Sequence, residues 1–141
     1  MRSLYFSRFT LLEELIIGDD CFGSVDEFNI DGLNELKSLK IGNNSFTLLK
    51  SNDEWDWNKA NNASRSFSIL NCIELESIEI GRNSFSDYAG GFELKNLPKL
   101  STIKIGEIES VSNNFCWSSF VIKGIIDMIL LMNRSSTFAI D

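Results

Sequence analysis

The chain has 141 residues, 23% charged and 43% hydrophobic, with a formal net charge of −7, eleven Phe, three Cys and no His. That length and apolar fraction suit one domain with a real core, while the absence of His excludes His-activated nucleophiles and His-ligated metal sites. The acidic balance argues against a nucleic-acid partner, because phosphate binding needs clustered Lys and Arg. Three Cys without a CxxC form neither a disulfide framework nor a zinc ribbon.

The first segment, MRSLYFSRFTLL, carries Arg8 inside its apolar stretch and no small-residue cleavage site follows, so it makes a poor secretory signal. The longest apolar run, GIIDMILLM (124–132), is interrupted by Asp127 and is about half of what spans a bilayer, so no membrane insertion is expected.

Two rigid blocks then alternate along the chain. The first reads LEELIIGDDCF (12–22), LKSLKIGNNSF (36–46), LESIEIGRNSF (75–85) and, more weakly, MILLMNRSSTF (128–138); a further copy, LSTIKIG (100–106), reaches Phe115 after five extra residues. The second block runs from Phe to the next copy of the first in eight steps: FNIDGLNEL (28–36), FSILNCIEL (67–75), FELKNLPKL (92–100) and FVIKGIIDM (120–128). LYFSRFTLL (4–12) fits the same spacing, with Leu4, Phe6 and Phe9 in the apolar slots. Repeat starts at 12, 36, 75, 100 and 128 leave all length variation at one junction, which marks that junction as a surface loop. The whole chain, 1–141, reads as one repeat domain with a loop insertion at 47–66.

Within KSLKIG the side chains alternate with period two, the pattern of a strand with one buried face. Stacked copies would align Phe22, Phe46, Phe85, Phe115 and Phe138 in one column, and Phe28, Phe67, Phe92 and Phe120 in another. No single repeat could bury its own column, so the copies must stack. Gly18, Gly42, Gly81 and Gly106 end the strands, where the turn needs a positive φ or a close backbone approach. The second blocks lack a helical pattern and predict strands or turns.

LKSLKIGNNSF and LESIEIGRNSF resemble leucine-rich repeats, L-x-x-L-x-L-x-x-N-x-L, with Leu36, Leu39, Ile41, Asn44 and Phe46 in those slots, as are Leu75, Ile78, Ile80, Asn83 and Phe85. The likeness covers 4–140, and NCIELESIEIG is similar to the BspA-like subclass; Phe in place of the last Leu, Gly after the Ile and uneven repeat lengths depart from the pattern. The resemblance implies a mainly β solenoid of about five coils, with a parallel concave sheet and short strands or turns on the convex side. It also implies that Asp20, Asn44 and Asn83 bond the backbone of neighbouring coils.

On that fold the central concave column reads Ile16, Lys40, Glu79, Lys104 and Met132. Glu14, Ser38, Ser77, Thr102 and Leu130 flank it, and Asp19, Asn43, Arg82 and Glu107 lie beyond the glycines. Lys40, Glu79 and Lys104 should pair across neighbouring strands. The 47–66 loop carries Trp55 and Trp57 beside Asp53, Glu54 and Asp56, and exposed Trp beside charge is an anchor for contact. The bland readings are a solvated ladder and two Trp folded back on the flank.

Cys72 takes the slot of Leu33, Leu97 and Ile125 and reads as a buried small hydrophobe. With Cys21 and Cys116 in other columns, unpaired thiols fit a reducing compartment. The chain starts inside a repeat and stops just after a Phe, so the last copy is either a degenerate cap or a piece of a longer array. The expected function is a non-enzymatic protein-recognition module without catalytic residues, cofactor or metal. Its alternatives are a β-helix polysaccharide-acting enzyme and a purely structural segment.

Overall fold

A computed structural model of the chain describes residues 2–50, 55–107, 112–125, 129–132 and 138–140. The strands are β1 (Ser3–Tyr5), β2 (Glu14–Ile17), β3 (Glu27–Asp31), β4 (Ser38–Ile41), β5 (Ser66–Leu70), β6 (Ser77–Ile80), β7 (Phe92–Lys95), β8 (Thr102–Ile105), β9 (Phe120–Lys123), β10 (Ile129–Met132) and β11 (Phe138–Ile140). One turn of helix, α1 (Trp57–Ala60), lies between β4 and β5. The odd-numbered strands form a six-stranded sheet in chain order and the even-numbered strands a five-stranded one, with every neighbouring pair parallel. The first blocks therefore supply one sheet and the second blocks the other, where sequence left strand or turn open.

The period-two pattern decides which way each strand faces. In the five-stranded sheet Leu39, Ile78 and Ile103 share a row, as do Ile41, Ile80 and Ile105, and all six are at most 1% exposed. In the six-stranded sheet Phe28, Phe67, Phe92 and Phe120 share one buried row, with Ile30, Ile69, Leu94 and Ile122 in the next. These inward rows make one core.

Two Phe columns fill its centre. Phe46 and Phe85 stack at 4.7 Å and 4°, and Phe85 and Phe115 at 5.1 Å and 10°. Phe28 and Phe67 stack at 4.9 Å and 4°, and Phe67 and Phe92 at 4.7 Å and 5°. The columns meet edge to face and are staggered: Phe28 contacts Phe46 and Phe85, and Phe67 contacts Phe85 and Phe115, at 74–83°. Stacked and T-shaped pairs are the two arrangements that the ring quadrupole favours, and each adds about 0.5–1.5 kcal/mol beyond area burial.

Both corners between the sheets use left-handed backbone. After the second-block strands Gly32, Asn71, Asn96 and Gly124 have φ of 56–76°, and Asn96 donates to Asn71 and Asn71 to Asp31 through their side chains. After the first-block strands Asp20, Asn44 and Asn83 are left-handed, and so are Phe22, Phe46, Phe85 and Phe115. A left-handed non-glycine residue costs roughly 1–2 kcal/mol, which the burial of a Phe, about 1.5–3 kcal/mol, offsets. Of the strand-ending glycines Gly106 has a positive φ, whereas a Cβ on Gly81 would lie 2.5 Å from the Gly42 backbone. At Gly81 the requirement is close approach between adjacent corners.

Several sequence expectations need correction. The last copy is out of register by one residue: Leu131, not Met132, pairs with Lys104, and Leu130 pairs with Ile103 instead of flanking the outward column. Ile129–Met132 is apolar at every position, so alternation could not fix its face. Phe138 aligns with Phe120 in the second column, because only residues 133–137 separate β10 from β11, against 18–26 between β2 and β3. The repeat start at 128 lies outside the described residues. Phe6 is buried, but Phe9 is 57% exposed; Phe22 keeps its column place, stacked on Phe46 at 5.4 Å and 24°, yet is 46% exposed at the β1–β2 edge, where Tyr5, Leu11 and Ile16 are exposed too.

Phe85→Ala is expected to cost about 3–5 kcal/mol in urea unfolding, and Phe22→Ala distinctly less, since that ring has a neighbour on one side only. Burial pushes the Cys72 thiol up, so native protein at pH 8 should alkylate more slowly at Cys72 than at Cys21 or Cys116. The stability linked to that proton is full below the ordinary thiol range and is lost as pH rises through the folded value.

Candidate functional site

Two surface regions and one buried cluster concentrate polar or aromatic chemistry. The first is the outward face of the five-stranded sheet, where Ile16, Lys40, Glu79 and Lys104 occupy one row and Glu14, Ser38, Ser77 and Thr102 another. Lys104 Nζ lies 4.0 Å from Glu79 Oε1, both side chains about half exposed, a separation that contributes little to stability. No Lys40–Glu79 ion pair forms among the described residues, although register sets the two side by side. These rows border a shallow groove of about 290 Å³. Glu14 and Glu79 stand two strands apart and in different rows, so more than about 10 Å separates their backbones at ordinary strand spacing.

Beyond the strands the polar residues serve the corners. Asn43 N–H donates to Asp19 Oδ1 at 2.7 Å and Arg82 N–H to Asn43 Oδ1 at 2.8 Å. Ser45 and Ser84 hydroxyls donate to the carbonyls of Gly18 and Gly42, and the Asn114 amide donates to that of Gly81. Asn83 Nδ2 donates to Asn44 Oδ1 and to the Leu49 carbonyl. Among the described residues no group of three or more His, Cys, Asp or Glu is placed to hold a metal ion.

The second region is the insertion. Asp56 caps α1, its Oδ1 accepting from the N–H groups of Asn58 and Lys59 at 2.9 and 3.3 Å. Asp53 and Glu54 lie outside the described residues. Trp55 is half-buried and meets Trp57 edge to face at 5.4 Å. Trp57, 50% exposed, meets Trp117 at 6.1 Å and 89°, and Trp117 Nε1 donates to the Trp57 carbonyl at 3.1 Å. All three Trp of the chain thus form one cluster. Sequence reasoning found two of them; Trp117 sits sixty residues away in the Phe115 corner, and no local pattern linked it to the loop.

The third region escaped the sequence entirely. Arg65 is fully buried: its guanidinium donates to Asp87 Oδ2 at 2.6 Å and to the carbonyls of Gly23 and Val25 at 2.5 and 2.7 Å. Its Nε lies 3.2 Å from Asp26 Oδ1, close enough for ion pairing but outside hydrogen-bond alignment. Its Cζ stands 4.8 Å over the Tyr88 ring. Burial pushes the Tyr88 phenol up, and that hydroxyl donates to the Val25 carbonyl. Asp87 Oδ2 also accepts from Leu48 N–H at 3.1 Å, while its Oδ1 is buried without a partner among the described residues. A single Arg and Asp twenty-two residues apart carry no motif, so nothing in the sequence signalled the pair.

Asp87→Ala would strand the buried guanidinium and is expected to cost about 3–5 kcal/mol in chemical denaturation, whereas Lys104→Ala, at a half-exposed pair, should shift the midpoint barely at all. No protein-family model, curated protein or solved structure matches the chain.

Proposed function

We propose that the chain is a leucine-rich-repeat-like solenoid acting as a non-enzymatic recognition module for a protein partner. The face that makes the contact in this reading is the outward side of the five-stranded sheet, the concave face of that architecture, with the 47–66 insertion as a second contact surface. One observation carries it: Lys40, Glu79 and Lys104 stand exposed or half-exposed in one row on strands fixed by a stacked core, free of the corner bonding that occupies the neighbouring polar residues. A rigid row of alternating charge, flanked by Ser38, Ser77 and Thr102, offers register and sign to a partner at little cost of ordering. The same row, with Glu79 as its single carboxylate and a Lys on either side, is poor support for the alternative of a polysaccharide-cleaving acid pair, which would need two carboxyl groups facing one another.

The test is reversal of the row, Lys40→Glu, Glu79→Lys and Lys104→Glu together, with circular dichroism to show that folding is kept. Loss of a partner captured by the wild-type chain is expected. Capture that survives this triple change combined with Trp55→Ala and Trp57→Ala would overturn the reading.

A further inference from the structure

The insertion and the Phe115 corner set aromatic planes beside amides. Trp57 and Trp117 expose about half of their area as two nearly perpendicular planes, and Trp55 closes the row behind them. Directly beside these rings the surface is amide-rich. A cavity of about 490 Å³ runs along Trp55, Asp56, Trp57, Asn58 and Lys59, and a second, of about 510 Å³, shares Asn58 and Lys59 and adds Asn61, Asn62 and Asp87. Asp87 is 2% exposed, and its Oδ1 has no hydrogen-bond partner among the described residues. Asn62 spends its carbonyl oxygen on Ser64, accepting from the backbone N–H and the hydroxyl, which leaves its NH₂ as a donor.

We infer that this surface is a binding site for a neutral oligosaccharide. A pyranose ring has an apolar face of C–H groups and a rim of hydroxyls. The exposed Trp planes match the face; planar amides, which give and take hydrogen bonds, and a carboxylate oxygen, which takes them, match the rim. The ligand is neutral because the chain carries a net charge of −7, and Lys59 is the one cation among the cavity-lining residues named above. The same charge disfavours a nucleic-acid strand stacking on the rings. The site lies within the 47–66 insertion but is separate from the charged row of the five-stranded sheet, so reversing that row tests the sheet face and leaves this inference untouched.

Because every Trp of the chain lies in this cluster, intrinsic fluorescence reports on it alone. The experiment titrates the full chain with cello-, malto-, manno- and chito-hexaose and, in parallel, with a proline-rich peptide. The expected result is a saturable change in Trp emission with at least one sugar, weakened tenfold or more in Trp117→Ala and in Asn61→Ala, and unchanged in Lys104→Glu. Asn61 is exposed, so its substitution leaves the fold intact should Trp117→Ala disturb it. No saturable change with any of the sugars overturns the inference, as does a response to the peptide alone. So does a sugar response that persists at full strength in folded Asn61→Ala and Trp117→Ala protein.

Discussion

The spacing between parallel strands governs this molecule. Neighbouring strands lie about 4.7–4.9 Å apart, and the central Phe rings stack at 4.7, 4.7 and 4.9 Å. A ring on each pass therefore meets the ring on the next without tilting, and backbone hydrogen bonding and aromatic stacking ask for the same repeat distance. The stagger between the columns adds the second constraint. Phe28 reaches both Phe46 and Phe85, so the rings of one sheet fill the gaps left by those of the other. A Leu in either column would fill volume but could not satisfy both the parallel and the perpendicular contacts.

That packing explains the strained corners. Phe46, Phe85 and Phe115 adopt a backbone conformation that bulky residues avoid, and they keep it because each ring is buried completely. The Ser and Asn side chains at the same bends close the remaining backbone groups, so the strain is confined to φ and does not extend to unpaired carbonyls at Gly18, Gly42 and Gly81. Polar residues in these bends act as structure, which is why the exposed charges of the strands stand out as available for contact.

Much of this was legible because repetition multiplies a weak signal. The two block spacings placed Phe28, Phe46, Phe67 and Phe85 correctly, and alternation in KSLKIG gave the inward and outward rows. Where repetition failed, so did the reading. Ile129–Met132 has no polar position to set its face and slipped by one residue, and Phe138 was assigned to a corner for which the chain has no room. The block spacing puts Phe9 in an inward slot, whereas it is 57% exposed at the end of the array. The candidate surfaces were half visible. The Lys40 row follows from register, whereas the Trp117 contact and the Arg65–Asp87 pair join residues that differ in every copy, and a side chain present once leaves no periodic trace.

Arg65 also alters how such an array comes apart. In a stack where each repeat touches only its neighbours, unfolding spreads one repeat at a time from an end. Arg65 belongs to the copy that starts at 36, yet it grips Gly23, Val25 and Asp26 of the copy before and Asp87 of the copy after. Releasing the first copy alone would leave a guanidinium buried with part of its shell missing. The clamp thereby couples the first three copies, and fraying of one of them carries the cost of an exposed break in that shell.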